Sequence, residues 1–324
     1  MLVAALRPAG WDVTSLPRVA SNTQLGAVAK RVDPGFHVVD RSDYDGQFYW
    51  AVAVDPLATG AAHRAVDKPT YRYGHPLLGW IAWVLSGGQA GAAAGALLAA
   101  CLLSLAAAAF LAGELGGVAA AAFTFCSPGL LYAAVHGLAE PLLVALVLGA
   151  FVARRPYALA VCALAPLAKE QLVVVPIVFA LWEVRSPRRA ATWLATLVPA
   201  IAWWVYARIH LGAWFTTGDT ALGAPFAGWR RSIADAGVYA ATGADEMRLL
   251  ILVGLLGLIT VASVFALRSH RPIDVVYLVL AVITACLAVN ATESLRDALR
   301  NTALLVALVP FVLDTVGRWR ASPS

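Results

Sequence analysis

The chain has 324 residues, of which 60% are hydrophobic and 13% charged, and its mean hydropathy is +0.74. Soluble domains carry about 25% charged residues, so this composition excludes an ordinary soluble protein and indicates an integral membrane protein. The formal net charge of +5 comes without any block of like charges, which argues against a nucleic-acid-binding protein.

The N-terminal quarter of the chain, residues 1–75, is polar. It contains no run close to the roughly 20 apolar residues that a membrane span needs, and its first residues lack the pattern of a signal peptide. A short apolar piece follows from Pro76 to Leu85 and carries Trp80 and Trp83. It is too short to cross a bilayer, and tryptophan favours the membrane interface, so we predict a helix on the lipid surface.

The rest of the chain predicts an all-α, polytopic transmembrane helix bundle of about nine crossings. Seven crossings follow directly from the apolar runs 90–112, 116–135, 140–153, 190–207, 249–267, 273–290 and 301–317. The run 157–184 is interrupted by Lys169-Glu170-Gln171, so it forms either one long helix or a hairpin of two short ones.

The arginine clusters favour the hairpin. Loops rich in Lys and Arg stay on the cytoplasmic side, and all four clusters lie on one side only if 157–184 reverses at Lys169. The clusters are Arg154/Arg155, Arg185/Arg188/Arg189, Arg268/Arg271 and Arg318/Arg320. The polar connections and segment 1–75 then share the opposite, outer face, which carries 15 of the 19 acidic residues, all but Glu114, Glu183, Asp274 and Asp314.

This topology predicts three regions along the chain. An outer-face segment with a catalytic loop occupies 1–75, the bundle with an outer loop at 208–248 occupies 76–317, and a cytoplasmic tail occupies 318–324. Nothing before Asp43 could carry the first region across a membrane, so we expect a transmembrane helix upstream of Met1. Four cysteines lie in apolar runs without metal or disulfide spacing and are predicted to be buried: Cys101, Cys126, Cys162 and Cys286.

An acidic and aromatic stretch, Asp40 to Trp50, precedes the bundle. Asp43 and Asp45 stand two residues apart between aromatic side chains. Partial desolvation beside a bilayer would raise the pKa of such carboxylates and make one a general base, and the pair could share a divalent cation. The alternative is a solvated turn, because Asp-Gly is a common turn dipeptide.

Four cationic residues and one acid are further candidates for substrate binding. Arg72 and Lys169 could bind phosphate, as could Arg296 and Arg300, which lie four residues apart on one helix face. Their structural alternatives are headgroup anchoring for Arg72, an ion pair at the hairpin tip for Lys169, and local salt bridges for the other two. Glu140 precedes Pro141 at a helix start, where a carboxylate is favourable for structural reasons alone.

Several of these pieces together resemble the GT-C-type integral membrane glycosyltransferases. The most specific is Tyr44-Asp45-Gly46-Gln47-Phe48-Tyr49-Trp50, followed by Ala53-Val54-Asp55-Pro56 and by Tyr71-Arg72-Tyr73 before His75-Pro76-Leu77-Leu78. Ser127-Pro128-Gly129, Gly137-Leu138-Ala139-Glu140-Pro141 and Leu164-Ala165-Pro166-Leu167-Ala168-Lys169-Glu170 add weaker matches. The similarity covers residues 40–185, and the nearest branch is that of bacterial polyprenyl-phosphate-mannose-type transferases of cell-surface glycopolymer formation.

The resemblance implies a GT-C-like fold in a bacterial cytoplasmic membrane, with the active site on the extracytoplasmic face. It implies transfer of a sugar, with inversion, from a polyprenyl-phosphate donor to a cell-envelope glycan or lipid-linked acceptor. Asp45 matches the family's catalytic aspartate and Asp43 completes its Asp-x-Asp pattern. No cofactor is required, although Mg²⁺ or Mn²⁺ at Asp43 and Asp45 is compatible with the pattern. The family's first transmembrane helix has no counterpart in this sequence, and Gly74-His75 stands where a further basic residue is expected.

Two other functional classes remain open from the sequence. A transporter or lipid flippase would carry ionisable residues in mid-bundle and repeated halves, whereas here the charged candidates lie mostly at one face. A non-catalytic scaffold of the cell envelope would tolerate replacement of Asp43 and Asp45.

Overall fold

The computed structural model describes residues 1–40, 44–214, 216, 222–240, 246–269, 271–292 and 294–314. These residues form α-helices joined by short turns and contain no strand, which confirms the all-α prediction. In the first part of the chain the helices are α1 Leu2–Leu6, α2 Gln24–Val32, α3 Gly46–Val54, α4 Ala62–Ala65, α5 Pro69–Arg72, α6 Leu77–Leu85, α7 Ala93–Phe125, α8 Pro128–Val135 and α9 Glu140–Val152.

The second part of the chain continues the bundle with α10 Arg155–Ala168, α11 Val174–Trp182, α12 Pro187–Ala195, α13 Val198–Leu211, α14 Ala227–Ala240, α15 Glu246–Ser269, α16 Pro272–Ala285, α17 Leu295–Asn301 and α18 Ala303–Leu313. Short 3₁₀ helices occupy Arg7–Ala9, Val13–Ser15, Ala90–Ala92, Glu170–Val173 and Val289–Ala291.

Three helical segments of the described chain are long and apolar enough to cross a membrane. They are Ala90–Phe125, Pro187–Leu211 and Glu246–Ser269, and a fourth apolar segment joins α8 and α9 across a bend of 119°. The chain is therefore a helical, membrane-embedded protein, as predicted. The helices α10, α11, α16 and α18 are apolar but shorter than a full span. The count of nine crossings and their orientation stay predictions.

Helix α7 contains a reversal at Gly117, which adopts φ 75° and ψ −173°. A Cβ on Gly113 would lie 3.3 Å from the side chain of Ala121, and one on Gly116 would lie 2.7 Å from that of Ala120. Residues eight apart in a straight helix are about 12 Å apart, so the chain turns back here. The reversal lies close to the predicted boundary between 90–112 and 116–135, and the second arm is broken again before Pro128.

The run 157–184 also reverses. Helix α10 ends at Ala168, Lys169 is extended, and α11 returns after one 3₁₀ turn. Nη2 of Arg155 lies 3.2 Å from Oε2 of Glu183, 28 residues further on. A continuous helix would place these residues about 42 Å apart. The chain therefore follows the hairpin interpretation rather than the single long helix.

The N-terminal segment packs into the same core as the bundle. Val19, Leu25 and Trp50 are buried together with residues of α7 and α9. Full burial of such apolar side chains stabilises the fold by roughly 1.5–3 kcal/mol each. Helix α6 buries Leu78 and exposes Trp83 at its far end, in keeping with the predicted surface helix.

Helix α13 anchors the loops that follow α3 and α5. The indole N–H of Trp203 donates to the Tyr73 carbonyl oxygen at 2.7 Å, and that of Trp204 donates to the Gly74 oxygen at 2.9 Å.

The predicted outer loop 208–248 is helical over α14, where Trp229 is buried. Cys126 is exposed, contrary to the prediction of burial, because it lies at the end of an arm of α7. The predicted tail 318–324 lies outside the described residues.

Candidate functional site

One cavity of about 490 Å³ contains most of the predicted site residues. Its polar end is lined by six of them, namely Asp45, Arg72, Glu140, Lys169, Arg296 and Arg300. These residues come from five separate places in the chain, and the fold brings them together. The seventh, Asp43, lies outside the described residues.

Two glycines of the sequence motifs allow this assembly. A Cβ on Gly46 would lie 2.3 Å from the carbonyl oxygen of His136, so only glycine lets the start of α3 approach the chain between α8 and α9. A Cβ on Gly129 would lie 2.3 Å from the carbonyl oxygen of Leu299, so α8 approaches α17 in the same way. Asp45 is thereby placed next to Glu140 on one side and Arg300 on the other.

Asp45 binds two arginines, one through each carboxylate oxygen. Nη1 of Arg72 donates to Oδ1 at 3.0 Å, and Nη1 of Arg300 donates to Oδ2 at 2.8 Å. The Asp45 side chain is about one-third exposed to the cavity. Burial alone would raise the pKa of Asp45, but the charges of Arg300, Arg72 and Lys169 outweigh it and lower the pKa. The expectation of a raised pKa is therefore wrong, because the sequence did not show that these three cations lie beside Asp45.

Each of these arginines is also held by a second carboxylate. Arg72 donates from Nε and Nη2 to the two oxygens of Asp67, at 3.1 and 3.2 Å. Its guanidinium carbon lies 3.6 Å from the ring centroid of Phe48, a cation–π contact. Nε of Arg300 lies 3.2 Å from Oδ1 of Asp297, an ion pair without hydrogen-bond geometry. Arg72 is thus fixed by protein groups and is not a loose headgroup anchor.

Arg296 and Arg300 are not equivalent, although the sequence places them on one helix face. Arg296 is half exposed, and its Nε lies 3.9 Å from Oδ2 of Asp297. Its guanidinium carbon lies 5.9 Å from the ring centroid of Tyr44. The local salt bridges of the structural alternative are present, yet Arg300 also reaches Asp45 and both arginines line the cavity.

Lys169 lies at the polar break of the hairpin, where its extended backbone ends α10. It forms no ion pair or hydrogen bond with the residues that the structure describes, and Glu170 and Glu140 are its strongest anionic neighbours. The contact found at this tip is made by Glu170 instead, whose Oε2 lies 3.1 Å from Nδ1 of the buried His75. Lys169 therefore keeps its charge available to a ligand in the cavity.

Glu140 begins α9 and points into the same space. Its Oε2 is buried and has no hydrogen-bond partner among the described residues. A carboxylate accepts hydrogen bonds and repels phosphate, so this oxygen suits a hydroxyl group of a ligand. Binding of phosphate by Glu140 itself, which the sequence left open, is disfavoured on charge.

The same cavity also has an apolar wall. Side chains of α9, α16 and α18 and of the turn after α16 form this wall, which consists of Leu143, Leu280, Ile283, Leu287, Leu304 and Leu305. The cavity therefore offers a charged end and a hydrophobic wall within one space, an arrangement that suits an amphiphilic ligand.

Asp55 of the second motif stabilises the turn that follows α3. It is buried and accepts hydrogen bonds from the backbone N–H groups of Thr59, Gly60 and His63, at 2.9, 2.8 and 3.1 Å, and from Nδ1 of His63 at 2.9 Å. Burial opposes ionisation of Asp55, but these donors outweigh it and lower the pKa. Its role is structural, since it does not line the cavity.

Replacement of Asp55 by Asn is expected to lower the free energy of unfolding by about 1–3 kcal/mol at pH 7, because the amide loses acceptor capacity for buried donors. A lowered folded-state pKa stabilises above the unfolded value of about 3.9 and ceases to do so as the pH falls through the folded value. Wild-type protein in detergent micelles should therefore lose stability in that acid range, measured by chemical denaturation, and Asp55→Asn should lose less. Equal acid dependence of the two proteins would contradict this role.

The sequence missed several residues of the site. Asp67 and Asp297 hold the arginines, and Asn301 and Lys68 line the cavity, but none belongs to a recognisable motif. His136 is not among the residues lining the cavity, and its Nδ1 lies 2.9 Å from the Tyr132 carbonyl oxygen, which supports the structural interpretation of this histidine.

The metal site at Asp43 and Asp45 stays a prediction, because Asp43 is not among the described residues. Within the described part of the chain, no three His, Cys, Asp or Glu side chains are grouped to hold a metal ion.

Comparisons of the chain with protein-family models, with curated proteins and with solved structures find no match.

Proposed function

We propose that the protein is a membrane glycosyltransferase that moves a sugar from a polyprenyl-phosphate donor to a cell-envelope glycan or a lipid-linked acceptor. The observation that carries this proposal is the single cavity in which Asp45, Lys169 and Arg300 meet beside an apolar wall. The resemblance of residues 40–185 to GT-C-type transferases supports the same reaction. We place the site on the extracytoplasmic face of a bacterial cytoplasmic membrane, with a cytoplasmic C-terminus.

The charged residues and the apolar wall of the cavity fit the two parts of such a donor. The phosphodiester would lie among Arg72, Arg300 and Lys169, because guanidinium and ammonium groups bind phosphate oxygens. The isoprenoid chain would lie along the leucines of α16 and α18, where burial of each CH₂ group contributes about 0.8 kcal/mol. The sugar would then lie near Glu140, whose unpartnered oxygen can accept a hydroxyl hydrogen bond.

In the proposed reaction, Asp45 accepts the proton of the acceptor hydroxyl as its oxygen attacks the anomeric carbon. The bond from that carbon to the phosphate oxygen breaks, and the electron pair leaves with the lipid phosphate. The attack comes from the opposite side of the sugar, so the configuration inverts. The arginines and Lys169 stabilise the charge that develops on the leaving phosphate. No metal ion is needed for these steps, and Mg²⁺ or Mn²⁺ stays an open addition.

A lipid flippase or transporter is the second candidate, since it could bind the same amphiphilic lipid in the same cavity. It would move the labelled lipid between leaflets without consuming it. Release of the lipid phosphate together with a labelled product distinguishes the transferase from both the flippase and a scaffold protein.

The proposal is tested with membranes that contain the protein and a panel of radiolabelled polyprenyl-phosphate sugars. Lys169→Gln is expected to raise the donor KM about 10–100-fold, because a hydrogen bond to a charged group contributes about 1.5–3 kcal/mol. Lys30→Gln is the matched control, since Lys30 is exposed and donates to the Pro34 carbonyl oxygen in its own turn. Absence of transfer from every donor by the wild-type protein would reject the proposed function.

A further inference from the structure

The two arginines that bind Asp45 are the groups best placed to bind the donor phosphate. Each uses an Nη1 hydrogen bond on Asp45, and these contacts measure 3.0 Å for Arg72 and 2.8 Å for Arg300. Each Nη1 carries two N–H bonds, but a carboxylate oxygen and a phosphate oxygen on the same nitrogen are like charges a few ångströms apart and repel each other. Asp45 therefore competes with any anion that enters the polar end of the cavity.

Arg72 and Arg300 each have a further contact that remains when the contact with Asp45 is lost. Asp67 holds Arg72 through two hydrogen bonds on the edge that faces away from Asp45, and Phe48 lies against its plane. Asp297 lies 3.2 Å from Nε of Arg300. When Asp45 no longer binds them, each guanidinium still has a carboxylate partner. An unpaired charge would be costly at these partly buried positions.

Asp297 is itself fixed by its own helix end. It belongs to the first turn of α17, and its side chain and backbone N–H are both bonded to the hydroxyl of the N-cap residue Ser294. Asp297 is mostly buried, whereas Asp67 is about half exposed. Solvent screens the contact of Asp67 with Arg72 more strongly, so Asp297 should contribute more than Asp67 to keeping its arginine in place.

We propose that the donor phosphodiester replaces Asp45 on Nη1 of Arg72 and Arg300, and that Asp67 and Asp297 are positioning residues that keep both arginines in place during this exchange. The inference rests on the proposed function and deepens it. Asp45 is released to the acceptor hydroxyl only when the donor is bound, so the donor binds first. The hydroxyl proton then passes to Asp45 while the phosphate leaves with the bonding electron pair and stays on the two arginines.

The exchange predicts an unusual effect on binding. Farnesyl methyl phosphate is a suitable probe, because it has the singly charged phosphodiester and the isoprenoid chain but no sugar to transfer. Its Kd is measured with tritiated probe on the purified full-length chain in detergent micelles. Asp45→Asn should bind the probe about tenfold more tightly than the wild type, because a competing carboxylate is removed. A gain of affinity cannot result from unfolding.

The positioning residues should act in the opposite direction. Asp297→Asn should weaken probe binding about tenfold, Asp67→Asn by less, and Asp297→Glu should bind more tightly than Asp297→Asn. Asp235→Asn is the matched control and should leave the Kd unchanged, since Asp235 pairs with the exposed Arg231 on α14 and does not line the cavity. Unchanged or weaker binding by Asp45→Asn overturns the exchange, while transfer by the wild type in the donor assay leaves the proposed function standing.

Discussion

Sugar transfer from a polyprenyl-phosphate donor is expected to fall at least about 10²-fold when Asp45 is replaced by Asn, since general-base catalysis contributes about 10²–10⁴-fold. The amide cannot accept the proton of the attacking hydroxyl. The side chain keeps its size and can still accept a hydrogen bond from Arg72 or Arg300, so the amount of folded protein in the membrane should stay unchanged. Initial rates at saturating donor, normalised to the protein detected in the membrane, provide the measurement.

Asp235→Asn serves as the control for the loss of one negative charge. Asp235 is partly exposed on α14 and is not among the residues that line the cavity, so its replacement should leave the transfer rate at the wild-type value. Turnover of Asp45→Asn close to that of the control would end the assignment of Asp45 as the proton acceptor.

Gly46→Ala is expected to disable the site without altering any charged or polar group. The new Cβ would lie 2.3 Å from the His136 carbonyl oxygen, which is a backbone atom and cannot rotate away. Overpacking of this kind costs about 1–3 kcal/mol, and any relief moves the start of α3 and with it Asp45. Both the thermal midpoint of the purified protein and the transfer rate should fall.

A glycine in open space separates this effect from a general intolerance of alanine. Gly254 lies in α15, and a Cβ there would meet no atom within 4 Å. Gly254→Ala should therefore be neutral or stabilising by about 0.5–1 kcal/mol, since alanine favours the helix over glycine. If Gly46→Ala matched Gly254→Ala in both measurements, the close approach at Gly46 would have no functional consequence.

The sequence predicts the fold class and much of the site because the information is local. Hydropathy identifies the apolar helices, and the arginine clusters favour a reversal at Lys169, where the structure also reverses. The acidic motif and the polar hairpin tip are predicted to lie on the same face of the bundle, and Asp45 and Lys169 line one cavity. Costly charges in apolar surroundings are visible in a sequence, so they can be selected before any contact is known.

The partners of these charges could not be predicted, because they arise from folding over long distances. Arg300 and Asp45 are separated by 255 residues, and no spacing rule connects them. The local salt bridges of Asp297 were among the alternatives, but the role of Asp67 depends on the position of Arg72, which the sequence does not show. For the same reason the pKa of Asp45 was expected to rise, whereas the two guanidinium groups lower it. The apolar wall of the cavity could not be predicted either, because nothing in the sequence distinguishes its leucines from the other leucines of the membrane helices.

Two indole hydrogen bonds connect α13 to the backbone that follows Arg72. Trp203 and Trp204 belong to an apolar segment long enough to cross a bilayer, and they bond the carbonyl groups of the two residues that follow Arg72. Transmembrane helices adjust their tilt when the hydrocarbon layer becomes thicker or thinner. A change of tilt in α13 would therefore reach the backbone within one residue of Arg72, and under the proposed function it would act on the binding of the donor phosphate.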